Sequence, residues 1–396
     1  MSQIVLSASA INDFRACPIR WRNAYLYGLR PIVDKDSLRQ GSVWHRCLAL
    51  LSSKPGGECV QCSGETCQIC GGTRKLPDNL LDAIITYVNQ EYSEVPPNKT
   101  YEDWVIERAI ILSSLMAFHH HYSGVEYKVI ANEIRFEMPL YSPENGGQPF
   151  SKDEVVIHGT IDQLLRDKDG NIIIREFKST SKSLDDEEYW GHLSLDVQTL
   201  IYLMATQYLQ QTGKLEIYGI RTDNRLAAGL LYNVWHKPQI RPSWLTQGDS
   251  KKFVETGEYC RQKFGITGLY KSGESCFVNN EIALIKPGAK EGTFAIYETP
   301  QMFSARLFQD ISERPTFYFQ QREIARTGQD LKCFWHDLYN MYKTMRAVLE
   351  HNWFYPCEKQ CYATFKCDYM NLCNNHVEID FAHPPDGFEF IHKGKK

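Results

Sequence analysis

Residues Val155 to Ser179 read VVIHGTIDQLLRDKDGNIIIREFKS. Two apolar-rich runs, VVIHGTIDQLLRD and NIIIREFKS, flank the turn signal Lys168-Asp169-Gly170 and predict a pair of strands. That turn lies midway between Asp162 and Glu176, so a hairpin with a five-residue loop sets these two carboxylates directly opposite each other, with Cβ atoms roughly 5 Å apart. Lys178, two residues beyond Glu176, projects from the same face. A loop one residue shorter would break the pairing. Two acids this close repel unless a cation sits between them. Their oxygens suit Mg²⁺ or Mn²⁺, and a neighbouring lysine can orient or help deprotonate water at such an ion. Hydrolysis of phosphodiesters uses this apparatus. The same triplet also describes a solvated sheet face with a surface ion pair. The apolar run before Glu176 and Phe177 beside it favour burial, where an unpaired charge is costly.

Working outward, LDVQTLIYLMATQYLQQ predicts a helix directly after the hairpin, with Gln198 and Tyr202 four residues apart on one face. A helix there can pack across the sheet and bring Gln198 towards Lys178 or a nucleic-acid strand. Upstream, YKVIANEIRFEMPL has the period of a strand, as does AGLLYNVWHK downstream. Residues 77–125 read as helical. LRQGSVWHRCLALLS predicts a helix carrying His45, which is either a core or surface histidine or an imidazole ligand. A first helix, capped by Ser9, runs through AINDFRACPIRWRNAYLYGL, with Ile11, Phe14, Trp21 and Tyr25 on its apolar face and Cys17 in its middle. Beyond residue 240 the chain reads as largely helical. The expected organisation is a helical N-terminal region over 1–51, a small insertion over 52–76, a helical segment and α/β core over 77–240, and a mainly helical C-terminal region over 241–396.

Cysteines punctuate both ends. CVQCSGETCQIC places Cys59, Cys62, Cys67 and Cys70 as two C-x-x-C pairs four residues apart, and Gly64, Gly71 and Gly72 let the backbone curl around one ion. Zinc held by four thiolates is the expectation, with a redox disulfide as the lesser alternative. CEKQCYATFKCDYMNLC holds Cys357, Cys361, Cys367 and Cys373.

Bulk properties narrow the class. The chain has 396 residues, 43% hydrophobic and 12% aromatic, enough to bury one large core or two modest ones. Its start lacks a basic segment before an apolar stretch, and runs such as AIILSSLMAF fall short of the roughly 20 residues a bilayer needs. We therefore expect a cytoplasmic protein without membrane association. Thirteen cysteines in a reducing compartment point to metal or cluster ligation rather than disulfides. A net charge of −4 excludes general polycationic binding of nucleic acid, so any DNA contact needs a local groove. Arg20, Trp21, Arg22, Arg322 and Arg326 are candidates to line one by charge and stacking, and equally candidates for solvated faces. No G-x-x-x-x-G-K-[ST] loop is present, so no ATP-driven motor of that type is encoded.

In this order, SASAINDFRACPIRW, GSVWH, GTIDQLLRDKDGNIIIREFKST, QTLIY and the terminal cysteines resemble the PD-(D/E)xK nuclease superfamily. More narrowly, they resemble its RecB-like branch with an iron–sulphur cluster, which includes CRISPR-associated and phage exonucleases. The resemblance spans residues 7 to 373. It implies an α/β, restriction-endonuclease-like fold: a mixed central sheet flanked by helices, here with helical additions and the zinc-knuckle insertion. It implies that His45, Asp162, Glu176 and the carbonyl of Phe177 hold Mg²⁺ or Mn²⁺, that Lys178 is the catalytic lysine, and that Gln198 and Tyr202 form the family's Gln-x-x-x-Tyr motif. Ile161 stands where the superfamily's proline would be. It further implies that Cys17 joins Cys361, Cys367 and Cys373 around a 4Fe-4S cluster, with Cys357 as the alternative to Cys361 and tetrahedral zinc as the alternative metal. The activity implied is a metal-dependent DNA exonuclease acting on single-stranded or frayed ends in phage or bacterial recombination and repair, with a helicase or recombination protein as partner. A non-catalytic nucleic-acid-binding scaffold and a CRISPR spacer-trimming nuclease are the alternatives.

Overall fold

The computed structural model describes residues 3–32, 36–59, 62, 67, 69–124, 127–144, 146–225, 227, 229–268, 275–363 and 366–391. Its central sheet contains six strands: β1 (Ile4–Leu6), β2 (Lys128–Pro139), β3 (Val155–Arg166), β4 (Ile172–Thr180), β5 (Gly229–His236) and β6 (Phe319–Ala325). The principal helices are α1 (Ala8–Ala16), α2 (Asp36–Leu51), α3 (Leu80–Glu91), α4 (Tyr101–Tyr122), α5 (Glu187–Ser194), α6 (Val197–Gln211), α7 (Pro300–Glu313) and α8 (Gly328–His351).

β3 organises the sheet. One edge pairs antiparallel with β2 over nearly its whole length. The other edge pairs first with parallel β1, ending at Leu6↔Ile157, and then with antiparallel β4, beginning at Gln163↔Arg175. Residues 158–162 therefore have no ladder partner on that edge among the described residues, and the sheet opens there. β4 continues into parallel β5, and β5 into antiparallel β6. All eight residues of β5 are buried, as befits a strand covered on both faces. One core layer packs α1, α6 and α8 on one face, with Ile11, Ile201 and Leu338 among its members. The opposite layer packs α2, α3, α4 and α7, with Trp44, Ile84, Trp104 and Phe303. This is the mixed sheet flanked by helices that the family resemblance implies.

β3 is not a regular strand. Ile157, Ile161 and Leu164 all belong to the same core layer, although strict alternation would send Ile161 and Leu164 to opposite faces. β2 behaves alike, with Ala131 and Ile134 in that one layer and Glu133 between them at φ 52°. Both strands thus change face at the level of Asp162. Just before the change, a Cβ on Gly159 would lie 2.7 and 2.9 Å from ring atoms of Phe136, so no larger residue fits without moving that ring.

Three expectations need correction. The first helix is capped by Ser7, whose hydroxyl accepts from the Ala10 amide at 3.1 Å, rather than by Ser9. It also stops at Cys17, because Pro18 forces the preceding residue into extended backbone, and a short turn (Pro18–Trp21) and a π-helical turn (Arg22–Leu26) follow. The region after residue 240 is mixed rather than mainly helical. It supplies β6 and a four-stranded sheet (Ile266–Thr267, Ser275–Val278, Glu281–Pro287 and Phe294–Ile296). These strands are short or half-exposed, so they carry little periodic apolar signal. Near the chain end, Phe388–Phe390 pairs antiparallel with Leu29–Pro31, and Tyr369 donates to the Leu29 carbonyl at 2.8 Å, tying the two termini together. No helix among the described residues is long and apolar enough to cross a membrane.

Candidate active site and cysteine clusters

The opening between β1 and β4 along β3 is where the acidic pair sits. The β3–β4 ladder runs from Arg166↔Ile172 to Gln163↔Arg175, and its register carries Asp162 to the position opposite Glu176. The five-residue connection, 167–171, is organised by Asp167, whose carboxylate accepts from the Asp169 and Asn171 amides at 2.9 and 2.8 Å. The backbone ladder ends at Gln163, and beyond it the Phe177 amide donates to Asp162 Oδ2 at 2.8 Å. A side chain thus takes the place of the next strand carbonyl.

Around this pair the predicted residues assemble. His45, from α2, places Nδ1 3.2 Å from Asp162 Oδ2 and its ring edge-on to Phe177. Lys178 Nζ donates to Glu176 Oε1 at 3.1 Å and to Gln198 Oε1. Gln198 Nε2 lies 2.7 Å from Glu176 Oε1 and 2.8 Å from the Tyr202 hydroxyl. Asp196 caps α6 and accepts from the Gln198 amide at 3.0 Å, which fixes the first turn that presents Gln198.

Charge in this pocket is finely opposed. Burial, then the charge of Asp162, push the Glu176 carboxyl up to about 8 against the pull of Lys178 and His45. Burial alone would lower the His45 imidazole, but Asp162 by charge and hydrogen bond, with Glu176 beyond, raises it to about 9. Burial would raise Asp162. The His45 cation, the Phe177 amide and Lys178 together hold it below the ordinary range. Burial likewise works against a charged Lys178, and the charges of Glu176 and Asp196 outweigh it, so the lysine is held as an ammonium.

One polar atom is left over. Glu176 is 2% exposed, and its Oε2 is buried without a hydrogen-bond partner. A buried, unmatched carboxylate oxygen facing a second carboxylate fits a hard divalent cation. His45, Asp162 and Glu176 do not, however, bring all their ligand atoms within 4.8 Å of one another. A third carboxylate, invisible in the sequence pattern, joins the group: Glu133 on β2 occupies the register position between Asn132↔Gln163 and Ile134↔Ile161, opposite Asp162. Only the cross-strand register could have identified it.

The four cysteines of the insertion form the one group among the described residues whose ligand atoms all lie within 4.8 Å. Cys59 and Cys67 sulphurs are 3.8 Å apart, and Cys62 and Cys70 sulphurs 3.5 Å. A tetrahedral ion with sulphur bonds of about 2.3 Å has sulphur–sulphur edges of about 3.8 Å. The set can therefore hold one metal ion. Gly71 and Gly72 follow at φ 57° and 84°, turning the chain back as the sequence predicts, while Gly64 lies outside the described residues. Burial and the neighbouring Cys67 thiol raise Cys59 to about 12, so a bound cation must displace its proton.

At the tied termini, Cys17, Cys357, Cys361, Cys367 and Cys373 all line one cavity of about 530 Å³. Of the proposed strand-channel residues, Trp21 is 2% exposed in the core and is no stacking surface. Arg322 is engaged by Glu187 at 2.7 Å and lies over Trp190, Arg20 pairs with Asp13 at 2.9 Å, Arg326 donates to the Ser194 carbonyl, and Arg22 bonds Asn23 at 3.2 Å.

A comparison with curated proteins returned no match. A family model described as the PD-(D/E)XK nuclease superfamily matches residues 5–374. Members of that superfamily are typically metal-dependent nucleases acting on DNA. With this match over nearly the whole chain, on a mixed sheet that opens at Asp162, the protein belongs to the PD-(D/E)XK nuclease superfamily.

Proposed function

We propose that this protein is a Mg²⁺- or Mn²⁺-dependent DNA exonuclease of the RecB-like branch, acting on single-stranded or frayed ends in the cytoplasm of a bacterial or phage-infected cell. The observation that carries the reading is the half-buried network of Glu176, Lys178 and Gln198 beside Asp162, with an unmatched, buried oxygen on Glu176. His45, Asp162, Glu176 and the Phe177 carbonyl would hold the ion. When bound, the ion supplies Lewis acidity towards the scissile phosphate. Lys178, held as an ammonium by Glu176, donates hydrogen bonds rather than accepting a proton. Its role is to orient the attacking water and to stabilise negative charge developing on phosphorus. Gln198, locked between Glu176, Lys178 and Tyr202, keeps the lysine aimed. Strand separation is assigned to a helicase or recombination partner.

The terminal cysteines are assigned to a 4Fe-4S cluster held by Cys17, Cys361, Cys367 and Cys373. Cys17 and Cys361 both act electrostatically on Cys367 and on Cys373. What supports the reading is that these four cysteines, with Cys357, line one cavity at the tied termini. Closing so long a loop stabilises the fold by constraining the open chain. The insertion's four cysteines are assigned to structural zinc.

The test is degradation of end-labelled linear DNA with Mn²⁺, single-stranded and duplex, beside a circular single strand. Cleavage of linear DNA that falls at least about 100-fold in Lys178→Ala is expected, since removing one charge-stabilising donor costs about that much. Undiminished cleavage by the variant removes the catalytic assignment, and cutting of the circle removes the exonuclease one.

A further inference from the structure

The change of face at Asp162 has a partner strand that the catalytic assignment does not use. Glu133 is a non-glycine residue at φ 52° in the middle of a twelve-residue strand. Such a conformation is rare outside turns and persists only where the surroundings impose it. Its neighbours explain what imposes it. On one side, Asn132 turns to the α2 layer and bonds Ser53 and the Ala49 carbonyl, both at 3.3 Å, while accepting from Gln163 at 2.9 Å. On the other, Ile134 returns to the opposite core. Between them, Glu133 is left at the level of Asp162, half-buried.

No hydrogen bond or ion pair engages the Glu133 carboxylate among the described residues. Burial, followed by the charge of Asp162, raises it to about 7, against weaker help from His45, Arg135 and Arg46. Asp162 itself is already shared between His45 and the Phe177 amide. Beyond it lies the unmatched, buried Oε2 of Glu176. Three carboxylates, on three adjacent strands, therefore meet at one level of the sheet, and one of them is held there at a conformational cost.

We propose that Glu133 is a positioning residue of the divalent-cation site, acting through Asp162: its carboxylate completes the anionic charge that draws and retains the ion. This rests on the metal site proposed above. Without the ion, Glu133 is repelled by Asp162. With the ion, it is attracted. Its effect on stability therefore reverses sign on metal binding, which a merely structural residue would not do.

The experiment measures Mn²⁺ affinity by calorimetric titration, and the melting temperature with EDTA and with saturating Mn²⁺. It compares wild type, Glu133→Gln, Glu133→Asp and Asp162→Asn. Losing a neighbouring negative charge at a half-buried site, where the effective dielectric is near 20, should weaken Mn²⁺ binding by about tenfold or more. Glu133→Gln should therefore bind Mn²⁺ at least tenfold more weakly, melt no lower than wild type in EDTA, and melt lower in Mn²⁺. Glu133→Asp should recover most of the affinity. Unchanged Mn²⁺ affinity in Glu133→Gln, while Asp162→Asn loses it, overturns the proposal and leaves the site standing. An equal loss of melting temperature with and without Mn²⁺ also overturns it, by marking the role as structural. Failure of wild type itself to bind Mn²⁺ refutes the underlying site.

Discussion

Raising the pH of the metal-free protein should destabilise it across the range where most proteins are indifferent. Glu176 rises from an ordinary 4.5 to about 8, and His45 from 6.5 to about 9. Both groups hold their protons more tightly folded than unfolded. The stability from His45 is present below its unfolded value and is lost as pH climbs through about 9. The penalty on Glu176 appears above 4.5 and grows until its folded carboxyl ionises near 8. Asp162 shifts the other way, but its effect belongs to acid pH, below the ordinary 3.8. Between about pH 6.5 and 8 Glu176 and His45 thus carry up to two extra protons in the folded state, and Glu133, raised to about 7, adds part of a third at the lower end. Each of the two is worth about 1.4 kcal/mol per pH unit, which sets a ceiling of about 4 kcal/mol for the pair over this interval. Because the two sites share the same charges, roughly half of that is the expected loss, which corresponds to a fall of a few degrees in melting temperature. Calorimetric scans in EDTA at steps across this interval provide the assay. Saturating Mn²⁺ should flatten the slope, since the ion takes over from the protons it displaces. A melting temperature that stays level or rises with pH in EDTA refutes the charge balance drawn for this pocket.

Two further outcomes follow from the sulphurs. Replacing Cys67 by Ser should remove one zinc per chain in elemental analysis and lower the melting temperature by several degrees, because Cys67 and Cys59 are both buried against Ile69 and the α2 layer. Zinc retained at wild-type stoichiometry would sink that assignment. In anaerobically purified protein, Cys361→Ser should abolish the broad brown absorption and most of the iron, whereas Cys357→Ser should keep both. Bleaching by the Cys357 change alone would exchange the two ligands, and colourless wild type with two zincs would remove the cluster.

The hairpin was legible because its information is local. A five-residue connection between two apolar runs determines which residues face each other, so the placement of Asp162 opposite Glu176 follows from counting. The same holds for Gln198 and Tyr202, four residues apart on one helix, and for the paired cysteines of the insertion, whose spacing alone brings Sγ atoms close. Where the chain meets itself from afar, counting fails. The β1 strand has three residues, and its place in the sheet comes from pairing with Val155 to Ile157, about 150 positions on. β6 alternates weakly and is recognisable only as the neighbour of β5.

What the sequence determined by itself is the chemistry on offer: two acids, an amine and an amide on a strand–turn–strand–helix unit, and two sets of thiols. Tertiary structure alone decided how those groups are charged and which others join them. The imidazole of His45 arrives from a helix more than a hundred residues earlier, and Glu133 reaches its place because two strands change face together. Both effects depend on burial and on contacts between distant segments, and neither quantity exists until the chain has folded.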